Sequence, residues 1–401
     1  MSAALKQKLN YPVYDADNHL YEPPEAFLRH LPKQFKRDFR YVEIDGRIKL
    51  LVDGILSEYI PNPTFEVVAA PGSHESYYRA KNPEGKSLRE ITGTPLKPVP
   101  DAFFHPKDRI KLMDEQGVHA VTIFPTLASV VEERLKHKPE SIAALFHSMN
   151  QWILDEWGFS YQDRMFPVPF VNLADVDAAV AELEFILKNG GKMVGIRPAP
   201  VPGVHGGRSP GFKEFDPFWA RAAEAGIPVM LHASDSGYDF ISRLWTSGNK
   251  EYLPFEMDAF RSCVSPGGRA ISDAISAIIC HGVFERHPNV RIASVENGSK
   301  WVAPLLDTYK HAHGQMPQAF KMHPVDQFHK HVFVAPFYEE SIPDLLKCMP
   351  AERIMFGSDF PHAEGLANPL DFVNELEGLD DATIQKIMSS NMKGLLEGVR
   401  D

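Results

Sequence analysis

Hydrophobic positions along the chain gather into short continuous runs, and the stretches between them carry helical spacing. The runs are YPVYDADNH (11–19), VHAVTIFPT (118–126), FPVPFVNLAD (166–175), KMVGIRPAP (192–200), IPVMLHAS (227–234), VRIASVENG (290–298), HVFVAPFYE (331–339) and RIMFGSDFPH (353–362). Amphipathic stretches such as VDAAVAELEFILKNGG and HPKDRIKLMDEQG precede them, the latter predicting a helix that stops at Gly117. Apolar runs alternating with helices indicate parallel strands covered on both faces. Eight such units predict an α/β chain folded as a (β/α)₈ barrel over residues 1–401. The rival, a doubly wound open sheet, wants a Gly-rich phosphate turn after an early strand, and none is visible.

Residues from about 40 to 105 break the alternation. YVEIDGRIKLLVDG predicts a hairpin turning at Asp45-Gly46, and a Pro- and Gly-rich run follows. This is read as an insertion after strand one that covers the C-terminal mouth of the barrel. VPGVHGGRSPGF (201–212) forms a second, shorter insertion after strand four. The end of the chain reads as two helices.

Composition narrows the partners. Hydrophobic residues are 44% and charged residues 24%, the balance of an ordinary globular protein. A net charge of −11 repels nucleic acid and anionic membranes at long range. No run of about 18 apolar residues suggests a membrane span, and the N-terminus lacks a secretory apolar segment. Cys263, Cys280 and Cys348 form no CxxC pair. The expectation is reduced, mostly buried thiols in a cytoplasmic protein.

Polar groups collect where the strands end, the side of such barrels that builds active sites. Strand one ends in Asp17 and His19, strand five in His232, strand six in Glu296 and strand eight in Asp359. Residues two apart on a strand face the same way, so Asp17 and His19 can grip one ion. Two imidazoles with three carboxylates suit Zn, Mn or Fe. The plainer readings are an Asp capping the next helix and a His satisfied within the core. Five such residues on the rims of four strands favour one or two divalent metal ions. His362 is a further candidate for a second metal or for substrate, against a simple turn, and Glu364 reads as a rim or capping acid. Glu22 could orient His19 or meet substrate. Arg197 could hold a substrate carboxylate, against an internal ion pair. Phe103 and Phe124 suit an organic ring. His281 and His287 precede strand six and fall on the opposite face. Most of His105, His205, His311, His313, His323, His329 and His331 are read as surface.

DADNHLYEP, LHAS and GSDFPH together resemble the amidohydrolase superfamily, in its amidohydrolase-related branch with the aminocarboxymuconate-semialdehyde decarboxylase-like enzymes. The resemblance implies a metal-dependent barrel enzyme acting on a small molecule, and a homodimer. It places strand-one ligands at Asp17 and His19, the strand-five ligand at His232, and the strand-eight aspartate at Asp359. Asp17 stands where the family has His or Glu, and Glu296 stands where it commonly has His. The leading expectation is a hydrolase in which a metal-activated water attacks a cyclic or carboxylated compound. Asp359 would take its proton and pass it to the leaving group, and Glu296 would complete the site or bridge to a second ion. Glu296 and His232 count with Asp359 as catalytic. The alternatives are non-oxidative decarboxylation of an aromatic acid, a dinuclear non-haem iron oxygenase, and a non-catalytic binding barrel.

Overall fold

The structure, a computed structural model, describes residues 9–57, 59–203, 206–245, 258–264 and 266–398. His205 lies outside the described residues. The first strand is β1 (Tyr14–Leu20). An antiparallel trio follows: β2 (Phe39–Ile44), β3 (Arg47–Val52) and β4 (Ile55–Ser57). The remaining strands are β5 (Ala120–Pro125), β6 (Met165–Pro167), β7 (Val194–Ile196), β8 (Val229–His232), β9 (Ile292–Val295) and β10 (Val332–Val334). Apart from the trio, each overlaps an expected run, β1 running one residue past its run to Leu20 and β6 starting one residue before its run at Met165.

Parallel pairing runs β1–β5–β6 and β7–β8–β9–β10. Three bridges join these two sheets into a ring. Phe170 pairs with Gly195, Val334 with Ile354, and Asn18 with Phe360. The eighth run is held by backbone bonds rather than a continuous ladder: Met355 N donates to Val334 O, Ala16 N to Phe356 O, and His19 N to Phe360 O, at 2.7–2.9 Å. The sheet is thereby closed, as the sequence predicted.

The covering helices follow their sequence patterns. Asp175 accepts from Ala178 N at 3.0 Å and caps the helix Val176–Lys188, a contact worth about 1 kcal/mol. Ala179, Leu183 and Ile186, three and four apart, are that helix's buried stripe. Each large apolar side chain so buried contributes roughly 1.5–3 kcal/mol. The helix Pro106–Gln116 stops at Gly117, whose φ of +74° is left-handed. The hairpin forms where expected. Asp45 and Gly46 have φ of +50° and +70°, the two positive values of the turn that matches strand twist. A second such turn at Asp53-Gly54 adds β4, which was not foreseen.

Two expectations need correction. Cys263 and Cys280, on helices, are exposed, and Cys348, in the turn after Leu345, is half-buried. His331 is buried, its ring stacked on Phe284 at 4.2 Å and its Nδ1 donating to Val290 O at 2.8 Å. Burial pushes this imidazole down from 6.5 to about 4. The unfolded chain therefore takes up the proton first, and stability is lost as pH falls from about 6.5 to about 4. His331→Phe removes that component, at most ~3 kcal/mol. Urea unfolding of both proteins from pH 7.5 to 4 is expected to show a shallower fall in the variant; equal slopes would contradict this.

Candidate metal centre

β1 and the eighth strand segment form one seam, and a buried carboxylate ties it. Asp15 accepts from Ser358 N at 3.0 Å, Ser358 Oγ at 2.5 Å, Asn18 Nδ2 at 2.8 Å and Asp17 N at 3.1 Å. Arg109, itself buried, donates to Asn18 Oδ1 at 2.8 Å, to His19 O, and to Ala102 O at 2.8 Å. The register of β1 on β5 slips between Asp15 and Asn18. Gly357 allows the close approach at this seam, since a Cβ there would stand 2.8 Å from Asp17 Cβ. Asp17 and His19 are thus fixed from behind before any ligand arrives.

The other rims deliver their groups to the same place. His232 ends β8, and its Nδ1 lies 2.7 Å from Ala233 O. A carbonyl only accepts, so Nδ1 carries the hydrogen and Nε2 carries the lone pair. That Nε2 is 2.8 Å from Glu296 Oε2 and 3.7 Å from Asp17 Oδ1. His19 Nε2 is 3.5 Å from Asp17 Oδ1, 3.5 Å from Glu296 Oε2 and 3.3 Å from Asp359 Oδ1. Asp17, His19, His232 and Glu296 offer ligand atoms all within 4.8 Å of one another. Glu296 and Asp359 both hold φ at +56°, a left-handed backbone that costs roughly 1–2 kcal/mol in a non-glycine residue. The turn after Glu296 is pinned by Asn297 Nδ2 on Leu231 O at 2.9 Å, and by Glu340, which accepts from Ser299 N and Oγ.

The electrostatics are those of a cation site. Asp17 Oδ1, both ring nitrogens of His19, His232 Nε2, Asp359 Oδ1 and His362 Nδ1 are buried without a well-formed hydrogen bond. Such atoms are costly unless an ion or a proton lies between them. Without a metal, protons take that part. Burial opposes charge on His232, but Glu296 and Asp17 overcome it and raise the imidazole to about 9. Burial and then Glu296 raise Asp359 well above the usual carboxylate range. Burial and then Asp359 raise Glu364 to about 7. Burial and the neighbouring His19 lower His362 to about 4. The donor set fits a divalent metal: His232 Nε2 and His19 would supply imidazole, and Asp17 and Glu296 would supply oxygen, with Asp359 beside them 3.3 Å from His19 Nε2.

Other expected site residues sit elsewhere. Arg197 is spent on Glu133, 2.6 Å from its Nη1, with Glu132 at 3.5 Å; it is an internal ion pair, not a free carboxylate anchor. Glu22 accepts from the amides of Thr126, Leu127 and Ala128, so its carboxylate is spent on capping the loop after β5. Phe103 packs behind the seam on Phe360, 5.6 Å away, and on Tyr21, 5.8 Å away. Phe124 lies 4.2 Å from the His232 ring and 6.0 Å from that of His19, where it buttresses the imidazoles. Glu364 is more than a rim acid: with Glu296, Asp359 and His362 it makes a second group of ligand atoms within 4.8 Å. His287 pairs with Asp216 at 3.1 Å, away from the cluster, as expected. Asp15, Arg109 and Ser358 were missed, since their roles depend on a long-range seam.

The amidohydrolase family model matches residues 14–393, and the chain belongs to that family of enzymes. It is similar over 97% of its length to the crystal structure of an amidohydrolase from Mycobacterium avium subsp. paratuberculosis, covering 100% of that chain at 40% identity with a TM-score of 0.91. It also resembles the gamma-resorcylate decarboxylase of Rhodococcus jostii, 26% identical over 271 residues, 63% of this chain and 76% of that one. A dihydroxybenzoic acid decarboxylase of Polaromonas, solved with manganese and 2-nitroresorcinol, shares the fold. There the TM-score is 0.54 at 18% identity, over 76% of this chain and 92% of that one. Among the described residues no helix is long and apolar enough to cross a membrane.

Cation binding must displace the proton that His232 holds up to about pH 9. Calorimetry of Mn²⁺ binding in two buffers of different ionisation enthalpy is expected to show proton release at neutral pH. Apparent affinity is expected to climb with pH towards about 9. Affinity independent of pH over that range would contradict the assignment of His232 as a ligand.

Proposed function

We propose that this protein is a divalent-metal-dependent, non-oxidative decarboxylase of a small aromatic acid. The observation that carries it is the convergence of ligand atoms from Asp17, His19, His232 and Glu296 at the barrel mouth, with Asp359 beside His19, in a chain related to a gamma-resorcylate decarboxylase. This places the lyase alternative ahead of the hydrolase expected first. A divalent ion held by Asp17, His19, His232 and Glu296 would supply the positive charge that offsets a substrate's negative charge.

The protein groups do the rest. Cleavage of the ring–carboxyl bond releases carbon dioxide and leaves the electron pair on the ring carbon, which must take a proton. Asp359, whose carboxyl burial and then Glu296 raise above the usual carboxylate range, stands beside the cluster to supply it. His232 and Glu296 fix the place where the acid group sits. The insertion serves as a lid. Gly72 N donates to His362 O at 3.2 Å and His74 N to Ala363 O at 2.9 Å, fastening it to the strand-eight loop. Phe65 of the insertion stacks on Tyr21 at 4.5 Å, so an aromatic wall backs the mouth. Water exclusion there strengthens every charge interaction with the substrate.

One observation favours hydrolysis as a second reading. Glu296 adds a carboxylate that could take a proton from an attacking water.

The test is a panel of hydroxybenzoic acids with Mn²⁺-loaded protein in deuterated water without oxygen. Release of carbon dioxide with deuterium at the vacated ring carbon is expected. Asp359→Asn is expected to lower turnover by about 10²–10⁴-fold with an unchanged fold by circular dichroism. Turnover that incorporates ¹⁸O from water with no carbon dioxide released would replace the lyase by the hydrolase. Full activity in Asp359→Asn would refute the role of that residue.

A further inference from the structure

His232 owes its aim to a short turn. Its Nδ1 hydrogen goes to Ala233 O, which leaves Nε2 facing Glu296. Ala233 N still donates to Val295 O at 3.1 Å, but β8 has ended and the chain leaves the sheet. The residues that follow are held by other strand ends. Asp235 N donates to Ser129 O at 3.1 Å, and Asp235 O accepts from Arg197 Nη1 at 3.0 Å. Gly237 N closes the turn on Asp235 Oδ1 at 3.0 Å. Gly237 also lets the turn lie against the loop after β5, since a Cβ there would stand 2.8 Å from Glu133 Oε1.

Arg197 is the common partner of these loops. Ile196 pairs with Leu231, so Arg197 follows β7 beside His232. The arginine is buried, and its Nη1 donates both to Asp235 O and to Glu133 Oε2 at 2.6 Å. Its Nε has no hydrogen-bond partner and stands 3.5 Å from Glu132 Oε1, so the directed bonds are the two from Nη1. Glu132 is tied in turn to Asn172 Nδ2 at 2.6 Å, after β6. One guanidinium thereby joins the ends of β5, β7 and β8, and through Glu132 that of β6.

We propose that Arg197 is a positioning residue for the metal centre: by clamping Asp235 O and Glu133 it holds the turn after β8, and through Ala233 O it sets the direction in which His232 Nε2 presents its lone pair. The proposal rests on the reading of His232 as a cation ligand. A buried ion pair adds little net stability, because desolvation offsets its attraction. What Arg197 supplies is direction, as the partners that stand behind metal ligands do. A guanidinium also stays charged across the working pH range, so the clamp holds while the acids of the mouth titrate.

The test is titration of chelator-treated protein with Mn²⁺, read by calorimetry and by the imidazole-nitrogen couplings in pulsed electron paramagnetic resonance. Wild type is expected to show couplings from both imidazoles. Arg197→Met is expected to bind Mn²⁺ about 10–100-fold more weakly, with one coupling altered or lost. Arg197→Lys, similar in bulk to the Met variant but still a cation that can donate to both oxygens, is expected to recover part of the loss. Asp175→Ala, which removes only the cap of the helix Val176–Lys188, is expected to bind as wild type does. Wild-type affinity and couplings in Arg197→Met, or an equal loss in Arg197→Lys or Asp175→Ala, would overturn the role of Arg197 alone. Should Arg197→Met fail to fold, Glu133→Gln weakens the same clamp and is expected to lose about 10-fold in affinity; wild-type affinity there would overturn the role equally. A wild type that takes up no Mn²⁺ would overturn the centre itself and this role with it.

Discussion

Buried carboxylates repel one another, and this molecule forces several to share one barrel mouth. Asp17, Glu296, Asp359 and Glu364 reach that mouth from three different strand ends, with three imidazoles among them. No arrangement of these groups is favourable without positive charge in their midst. Protons supply it when nothing else is present: the facing carboxylates raise His19 and His232, and burial with Glu296 raises Asp359, above their ordinary values. A metal ion supplies it better, and then frees the same groups for chemistry.

The scaffold is built to hold that strained collection still. Asp15 knits β1 to the eighth strand segment through Ser358 and Asn18, and Arg109 locks Asn18 from the other side. Phe124 fills the space behind the imidazoles. Left-handed backbone at Glu296 and Asp359 turns both carboxylates inward at strand ends. The seam of Asp15, Asn18, Ser358 and Arg109, each hydrogen-bonded, can carry such strain, whereas a half-satisfied one could not. Function and stability therefore meet at the same seam.

The eight apolar runs made the barrel legible, because parallel strands covered by helices have few other sequence patterns. Asp17, His19, His232, Glu296 and Asp359 were legible because each ends a run and so had to fall on one rim. Glu364 was harder to read, since it lies beyond the turn that follows Asp359 and its direction depends on how that turn folds. Arg197 showed the opposite limit: its position at a strand end was read well, but its partner Glu133 comes from a different loop. Glu22 and Phe103 failed likewise, one spent on backbone amides and one on packing behind the seam. Asp15 stood in the first motif, yet its bonds to Ser358 span most of the chain. Periodicity reports which face a residue takes, not which distant group will meet it.

The central claim is that a cation sits among these side chains. Crystals soaked in Mn²⁺ and measured on both sides of the manganese absorption edge test it most directly. The account expects an anomalous peak within coordination distance of His232 Nε2, His19, Asp17 and Glu296. A difference map without a peak there, while the same crystals hold manganese elsewhere, would contradict it.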